Sequence, residues 1–357
     1  MPPAGPESVL IIRMSALGDI ICALPVLRAI RDSFPETRVG WVVDSRFEGL
    51  LAPDPDIHRL HVAPVSRWKK LSKSPLAWPR LMSERRGLDR ELRQARYGVC
   101  LDLQGILKSG FIARAAGARR TLHMGSGRIA KRTWLFPGER IAPISPHAVE
   151  RMLPLAAAIG ADISNPRFDL FIPEDDRRHA DALFAAHPFT NSGPVIALNP
   201  GAAAVHRMWA ADRFAALAGR LHSELGARVV VIGGPSETAL AEGIARDSGI
   251  DPLCTAGKTT LLQLAAVLDR CEVLVTGDTG PQHIAYALGK HVVSLFGPAN
   301  PLSTGPYGPG HAVIQHPFPC QPCYAHPTCK DFACMKAILV DEVLDAVARV
   351  LAKAPPS

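Results

Sequence analysis

The 357-residue chain has no run of eighteen apolar residues, so nothing in it reads as a transmembrane helix. Its start has no secretory pattern. Val9-Leu10-Ile11-Ile12 is too short for a signal-peptide core and stops at Arg13, which predicts a cytoplasmic protein. Eight cysteines in this length make no disulfide scaffold. Cys22, Cys100, Cys254 and Cys271 lie scattered among apolar neighbours and read as small core residues. Familiar motifs are missing too. No GxGxxG follows the first apolar run, so the dinucleotide signature fails. Gly257-Lys258-Thr259 suggests a P-loop, but Pro252 stands where its first glycine belongs. No His/Asp/Glu pattern fits a catalytic metal, and there is no GxSxG nucleophile elbow.

What is present is an ordinary globular composition, 47% hydrophobic and 20% charged, with a length that suggests two domains. The net charge of +7 is unevenly spread. Residues 51–150 hold 19 basic and 8 acidic side chains, whereas the rest of the chain holds 21 and 25. One part of the molecule therefore expects an anionic partner.

Short Val- and Ile-rich runs alternate with helical patterns. Val9–Ile12, Arg38–Val43, Val99–Leu103, Val195–Leu198, Arg228–Ile232, Val273–Thr276 and Val292–Phe296 read as strands buried on both faces. Helices such as Leu24–Ser33, Ala211–Leu225 and Thr260–Leu268 separate them. This predicts βαβ units and parallel sheets in two series, with the break inside Phe168–Gly193. The expected domains are residues 1–180 and 181–357, each Rossmann-like and doubly wound.

In such sheets ligands bind beyond the carboxyl ends of the strands. Four loops there carry chemistry. In Met14–Asp19, Gly18 permits a tight turn, and Asp19 is either a carboxylate facing the helix dipole or a general base. Asn199–Ala203 offers backbone N–H groups to a phosphate, followed by Arg207, which can pair a diphosphate or simply be solvated. In Gly233–Glu237, Glu237 suits ribose hydroxyls or an ordinary helix start. Gly277–His283 leads small residues into a helix, presenting N–H groups and a positive dipole to an anion. Alone, His283 reads more readily as a satisfied, partly buried histidine than as a ligand.

Six motifs then occur in order: Ser15-Ala16-Leu17-Gly18-Asp19-Ile20, Asp102-Leu103-Gln104-Gly105-Ile106-Leu107-Lys108-Ser109, His147-Ala148-Val149-Glu150-Arg151, Pro200-Gly201-Ala202, Asp278-Thr279-Gly280-Pro281-Gln282-His283 and Leu295-Phe296-Gly297-Pro298. Together, from about Val9 to Val350, the chain resembles glycosyltransferase family 9, the lipopolysaccharide heptosyltransferases. Arg67-Trp68-Lys69-Lys70, with Tyr97 through Ser109, looks most like heptosyltransferase I, which adds the first heptose to the Kdo sugar on lipid A. The resemblance implies a GT-B fold, two Rossmann-like domains facing a cleft. It implies inverting transfer from ADP-heptose with no essential metal or other cofactor. Asp19 matches the family's general base, and Arg207 the cation at the leaving diphosphate. Gly201, Asp278, Thr279, Gly280 and His283 match donor-binding positions, Glu237 a carboxylate at the nucleoside, and Thr259 the adenine side. Arg67, Lys69, Lys70, Lys108 and Lys131 match basic positions near the anionic acceptor, Kdo-lipid A.

The chain departs from the family in three places. Arg207 replaces a common lysine, Ala202 and Ala203 replace hydroxyl residues, and Ser66 replaces an arginine. Alternative readings are a family 9 enzyme with another sugar nucleotide or acceptor, a GT-B-fold sugar-nucleotide epimerase, and a non-catalytic nucleic-acid or membrane-binding module. Nucleic-acid binding lacks aromatic platforms and motif support. Peripheral attraction to the inner face of the cytoplasmic membrane suits the basic block better. There, Trp68 lies at the interface or anchors its loop. Arg85, Arg86, Arg90, Arg93 and Arg96 have the spacing of a solvated helix face. Cys320, Cys323, Cys329 and Cys334 fall within fifteen residues, and a structural metal, a redox pair or plain packing would each account for them.

Overall fold

The computed structural model describes residues 5–125, 135–202, 204–323, 329 and 332–353. Contacts divide the chain into two units, Met1–Phe171 and Ile172–Ser357. The division falls before the 180/181 boundary expected from the sequence, for two reasons. The buried Arg28 guanidinium donates to the backbone carbonyls of Phe168 and Asp169, at 3.2 and 2.7 Å, and holds that stretch on the first unit. The helix that follows pairs Arg177 with Asp269 at 2.5 Å, inside the second unit. Arg28 stays charged because Asp54 and Asp56 lie at 2.6 and 2.5 Å. Burial alone would lower its pKa, yet the two carboxylates raise it.

The first unit has strands β1 (Ser8–Ile12), β2 (Arg38–Asp44), β3 (Arg59–Ala63), β4 (Val99–Asp102), β5 (Arg120–Met124) and β6 (Glu139–Ile141). Its helices include α1 (Leu17–Ile21), α2 (Leu24–Ser33), α3 (Val65–Leu71), α4 (Trp78–Ala95) and α5 (Leu107–Ala116). β1 is buried at every position, as a central strand covered on both faces must be. The sheet is parallel, in the order β3-β2-β1-β4-β5-β6.

The second unit has β7 (Val195–Asn199), β8 (Arg228–Val231), β9 (Leu253–Cys254), β10 (Val273–Gly277), β11 (His291–Leu295) and β12 (Ala312–Ile314). Its helices include α6 (Glu174–Ala186), α7 (Ala211–Leu225), α8 (Thr238–Asp247), α9 (Leu261–Asp269), α10 (Gly280–Ala287) and α11 (Val340–Lys353). This sheet is also parallel, in the order β12-β11-β10-β7-β8-β9. Both units therefore have the doubly wound order, read from opposite edges. In the second core, Phe214 of α7 and Val343 and Val347 of α11 are buried together with Trp209. The Trp209 indole N–H donates to the Ile338 carbonyl at 3.0 Å, so its one polar atom is satisfied.

Chain order reverses between β1 and β4 in one sheet and between β7 and β10 in the other. Loops leaving adjacent strands at such a point diverge to opposite faces and open a crevice. Four of the six sequence motifs follow these strands, whereas His147–Arg151 comes after β6 and Leu295–Pro298 after β11.

Candidate active site

In the first unit, β1 runs into Arg13, whose backbone carbonyl accepts from the Trp41 indole at 3.0 Å. The Arg13 side chain is buried. It donates to the Leu103 carbonyl at 2.8 Å and meets the Asp19 carboxylate at 2.6 Å. Arg151 approaches the same Asp19 oxygen at 3.5 Å, while the other oxygen accepts from the Ala16 backbone N–H at 3.2 Å. Asp19 is thus held through both carboxylate oxygens. It closes the first turn of α1, and it lies between two guanidiniums with its side chain 33% exposed.

The loop after β4 braces this arrangement. Gln104 accepts from the Met14 N–H at 2.9 Å and reaches Ser15 with its amide nitrogen at 3.3 Å. Asp102 is buried, receives the backbone N–H groups of Gln104 and Gly105, and pairs with His123 at 2.9 Å. The His123 ring meets the Pro137 carbonyl on its far side at 3.2 Å. Gly105 has φ +62°, which favours glycine in this tight turn. Sequence reading gave no role to Arg13, Gln104 or Arg151. The one visible signal for Arg13 is a charge ending an apolar run.

The predicted acceptor residues divide. Lys69 and Lys108 border an apolar cavity of about 260 Å³, lined also by Met14, Trp68, Met82 and Arg85. Lys70 is exposed and does not line it. Arg67 is exposed and pairs with Glu84 at 2.6 Å. Trp68 donates to that same glutamate at 3.2 Å, so it anchors α3 to α4. Lys131 lies outside the described residues. On α4 only Leu88 and Leu92 are buried; Arg86, Arg90 and Arg93 are exposed, whereas Arg85 borders the cavity and stacks on Phe111, and Arg96 lies past the helix end.

In the second unit, the loops after β7 and β10 are tied by a neutral cluster. The Asn199 amide donates to the hydroxyls of Thr276 and Thr279, both at 2.9 Å. Thr279 is the N-cap of α10, with Gly280 and Pro281 at the helix start. One ion pair crosses these loops, Arg207 to Asp278 at 3.0 Å. His283 is buried in the first turn of α10, its ring 2.9 Å from the Tyr286 hydroxyl, which is the satisfied-histidine geometry.

The loops after β7, β8 and β9 form an adjoining rim. Glu237 accepts from the Gly234 N–H at 2.6 Å and folds over Gly201, where an added Cβ would lie 1.8 Å from the carboxylate. A side chain at position 201 would require the Glu237 carboxylate to move. The Gly257 N–H donates to the Gly233 carbonyl at 3.0 Å and brings in the loop that carries Thr259. Gly201, Glu237 and Thr259 thus share one strand-end rim, next to Arg207 and Asp278. Ala202 is described and Ala203 is not, and no hydroxyl stands at Ala202.

Cys320, Cys323, Cys329 and Cys334 border a small space of about 30 Å³ with His206 and Phe332. Burial pushes the Cys323 and Cys334 thiols upward, and neighbouring thiols add to this. Among the described residues no group of three His, Cys, Asp or Glu side chains is disposed to hold a metal ion.

Two parallel doubly wound units, each with its functional loops at the switch point, define the GT-B class of glycosyltransferase fold. The chain matches the family described as "Glycosyltransferase family 9 (heptosyltransferase)" over residues 85–331. It is 30% identical to lipopolysaccharide heptosyltransferase 1 of Pseudomonas aeruginosa over 323 residues, 88% of this chain and 85% of the relative. It is 28% identical to lipopolysaccharide core heptosyltransferase OpsX of Haemophilus influenzae over 305 residues, 85% of this chain and 82% of that one. The solved structure of the E. coli heptosyltransferase WaaC with ADP-2-deoxy-2-fluoro heptose superposes with a TM-score of 0.75 at 21% identity, covering 96% of this chain and 99% of that one. That likeness concerns the fold. The chain belongs to glycosyltransferase family 9.

Proposed function

We propose that the protein is an inverting heptosyltransferase that moves heptose from ADP-heptose to the Kdo sugar of Kdo-lipid A, at the inner face of the cytoplasmic membrane. The observation that carries this reading is the placement of Asp19. In a chain of this family, the motif carboxylate stands at the switch point of the basic unit, in a web of Arg13, Gln104 and Arg151. Asp19 takes the proton from the acceptor hydroxyl. The hydroxyl oxygen forms its bond to the anomeric carbon as the bond to the ADP oxygen breaks, on the opposite face, so the configuration inverts. The departing diphosphate carries the charge. Arg207 and the backbone N–H groups at the start of α10 receive it. Gly201, Glu237 and Thr259 border the nucleoside. Lys69, Lys70 and Lys108 face the acceptor's carboxylates and phosphates. No metal is needed where cations and N–H groups stabilise the leaving group.

The relatives named for lipopolysaccharide heptose transfer support the donor and acceptor classes. Ala202 supports a second reading within the same chemistry, because the loss of hydroxyls there changes how the donor is held. The test is a panel of ADP-heptose and other ADP-, GDP- and UDP-sugars, each incubated with and without Kdo-lipid A. Heptose transfer from ADP-heptose alone is expected. Faster transfer from another sugar nucleotide would move the donor assignment. Conversion without acceptor would point to an epimerase.

A further inference from the structure

The corner where α3 meets α4 carries Lys69 and Lys70, assigned to the acceptor, but the proposed chemistry gives its exposed apolar side chains no role. Residues 64–83 contain Arg67, Lys69, Lys70, Lys73 and Arg80, and no acid until Glu84. Within this stretch Leu76 is 94% exposed, Trp78 56% and Met82 46%. The other large apolar side chains that the described residues expose, such as Ile144, Val205 and Leu302, are far from one another in sequence. Exposed apolar residues that stand singly need no explanation, but three within seven residues do. Lys69, Lys70, Lys73 and Arg80 are exposed around them.

We propose that this corner docks the protein on an anionic bilayer, with Leu76 and Trp78 in the headgroup and upper acyl layer and the cations against lipid phosphates. Charge selects this occupant. A second copy docked on the same corner would set five cations and one glutamate, Glu84, which pairs Arg67 and Arg80, against the same set. An anionic leaflet attracts basic segments and accepts exposed apolar side chains together. Trp78 suits the interface, because its ring is apolar and its indole N–H is polar. The apolar cavity bordered by Lys69 and Lys108 lies behind the same corner and reaches Met14, which precedes the Asp19 loop. Docking here therefore places the lipid surface on the side of the first unit that holds the proposed acceptor cations. This deepens the proposed function, but it is tested without any acceptor.

The full chain is sedimented with vesicles of phosphatidylethanolamine and phosphatidylglycerol, and with vesicles of phosphatidylcholine alone. Wild type is expected to bind the anionic vesicles, more weakly at high salt, and to leave the neutral ones largely unbound. A Leu76→Asp/Trp78→Ala variant is expected to lose about tenfold or more in partitioning. The same variant should keep its transfer rate on a deacylated, water-soluble acceptor, which shows that it is folded. A variant that sediments like wild type overturns the proposal, as does a wild type that ignores anionic vesicles. A concentration-dependent dimer abolished by the variant also overturns it, since the corner would then be a protein interface. A wild type that binds vesicles but transfers no heptose contradicts the proposed function and leaves the docking surface standing.

Discussion

The two units share a topology but solve opposite electrostatic problems at the same place in the sheet. At the switch point of the first unit, the groups are charged and interlocked: Arg13, Asp19 and Arg151, with Asp102 and His123 buried behind them. At the switch point of the second unit, the groups are mostly neutral: an amide, two hydroxyls and the start of a helix, with one ion pair. The difference follows from what each half is proposed to hold. On that proposal a sugar diphosphate would meet N–H dipoles and the Arg207 guanidinium, which pairs with Asp278. A proton-accepting carboxylate has to be held in place by fixed partners. The excess positive charge then belongs to neither switch point. Much of it lies on α3 and α4, which hold eight basic and three acidic side chains.

The largest way to break this comparison is to empty the buried pair of the first unit. Asp102→Ala would strand His123 and two backbone N–H groups, at a cost of about 3–5 kcal/mol. Urea unfolding should show that loss, and an unchanged midpoint would mean that the charged web is not structural. The next effect is in the second unit. Arg207→Ala should lower kcat/KM for the donor about 10²–10³-fold, and Arg207→Lys should restore most of it. Equal failure of both variants would argue that the guanidinium shape, not its charge, is required. A smaller effect is expected from Lys69→Ala/Lys108→Ala, with acceptor KM up about tenfold and donor KM unchanged. Acceptor KM at the wild-type value would return these lysines to the solvated surface.

The smallest effect concerns pH. His61 is buried between Glu91 and Tyr97, at 2.7 Å from each. Burial lowers its pKa below 6.5, although Glu91 opposes this. The unfolded chain therefore takes up that proton first. The contribution is complete above pH 6.5 and is lost as the pH falls toward the folded value. Burial also pushes the Tyr97 hydroxyl up to about 12, so at the alkaline end its contribution is lost as the pH rises past the unfolded value. A His61→Asn variant should show a flatter slope of Tm between about pH 7 and pH 5 than wild type. Parallel slopes would remove His61 as the cause.

The central strands were legible because a strand covered on both faces needs an unbroken apolar run, as in Ser8–Ile12 and Val273–Gly277. β3, β5, β6, β9 and β12 escaped the reading. Arg-Leu-His-Val-Ala and Arg-Thr-Leu-His-Met mix polar with apolar residues, and their buried histidines are satisfied only by partners from other elements. The domain boundary was displaced for the same kind of reason. Nothing in Phe168–Asp169 announces that Arg28 will bind its carbonyls. The site was legible as motifs, since Asp19, Arg207, Asp278 and Gly201 stand in loops that follow apolar runs. Its bracing was not. Arg13, Gln104, Arg151 and Asn199 meet their partners only after β1 pairs with β4 and β7 with β10.

The division of labour between the units is tested most directly with Asp19→Asn, measuring ADP-heptose affinity and heptose transfer on the same preparation. The account predicts donor affinity within a few-fold of wild type and transfer reduced about 10²–10⁴-fold, the range of a lost general base. Transfer at the wild-type rate, or loss of donor binding in step with activity, would contradict it.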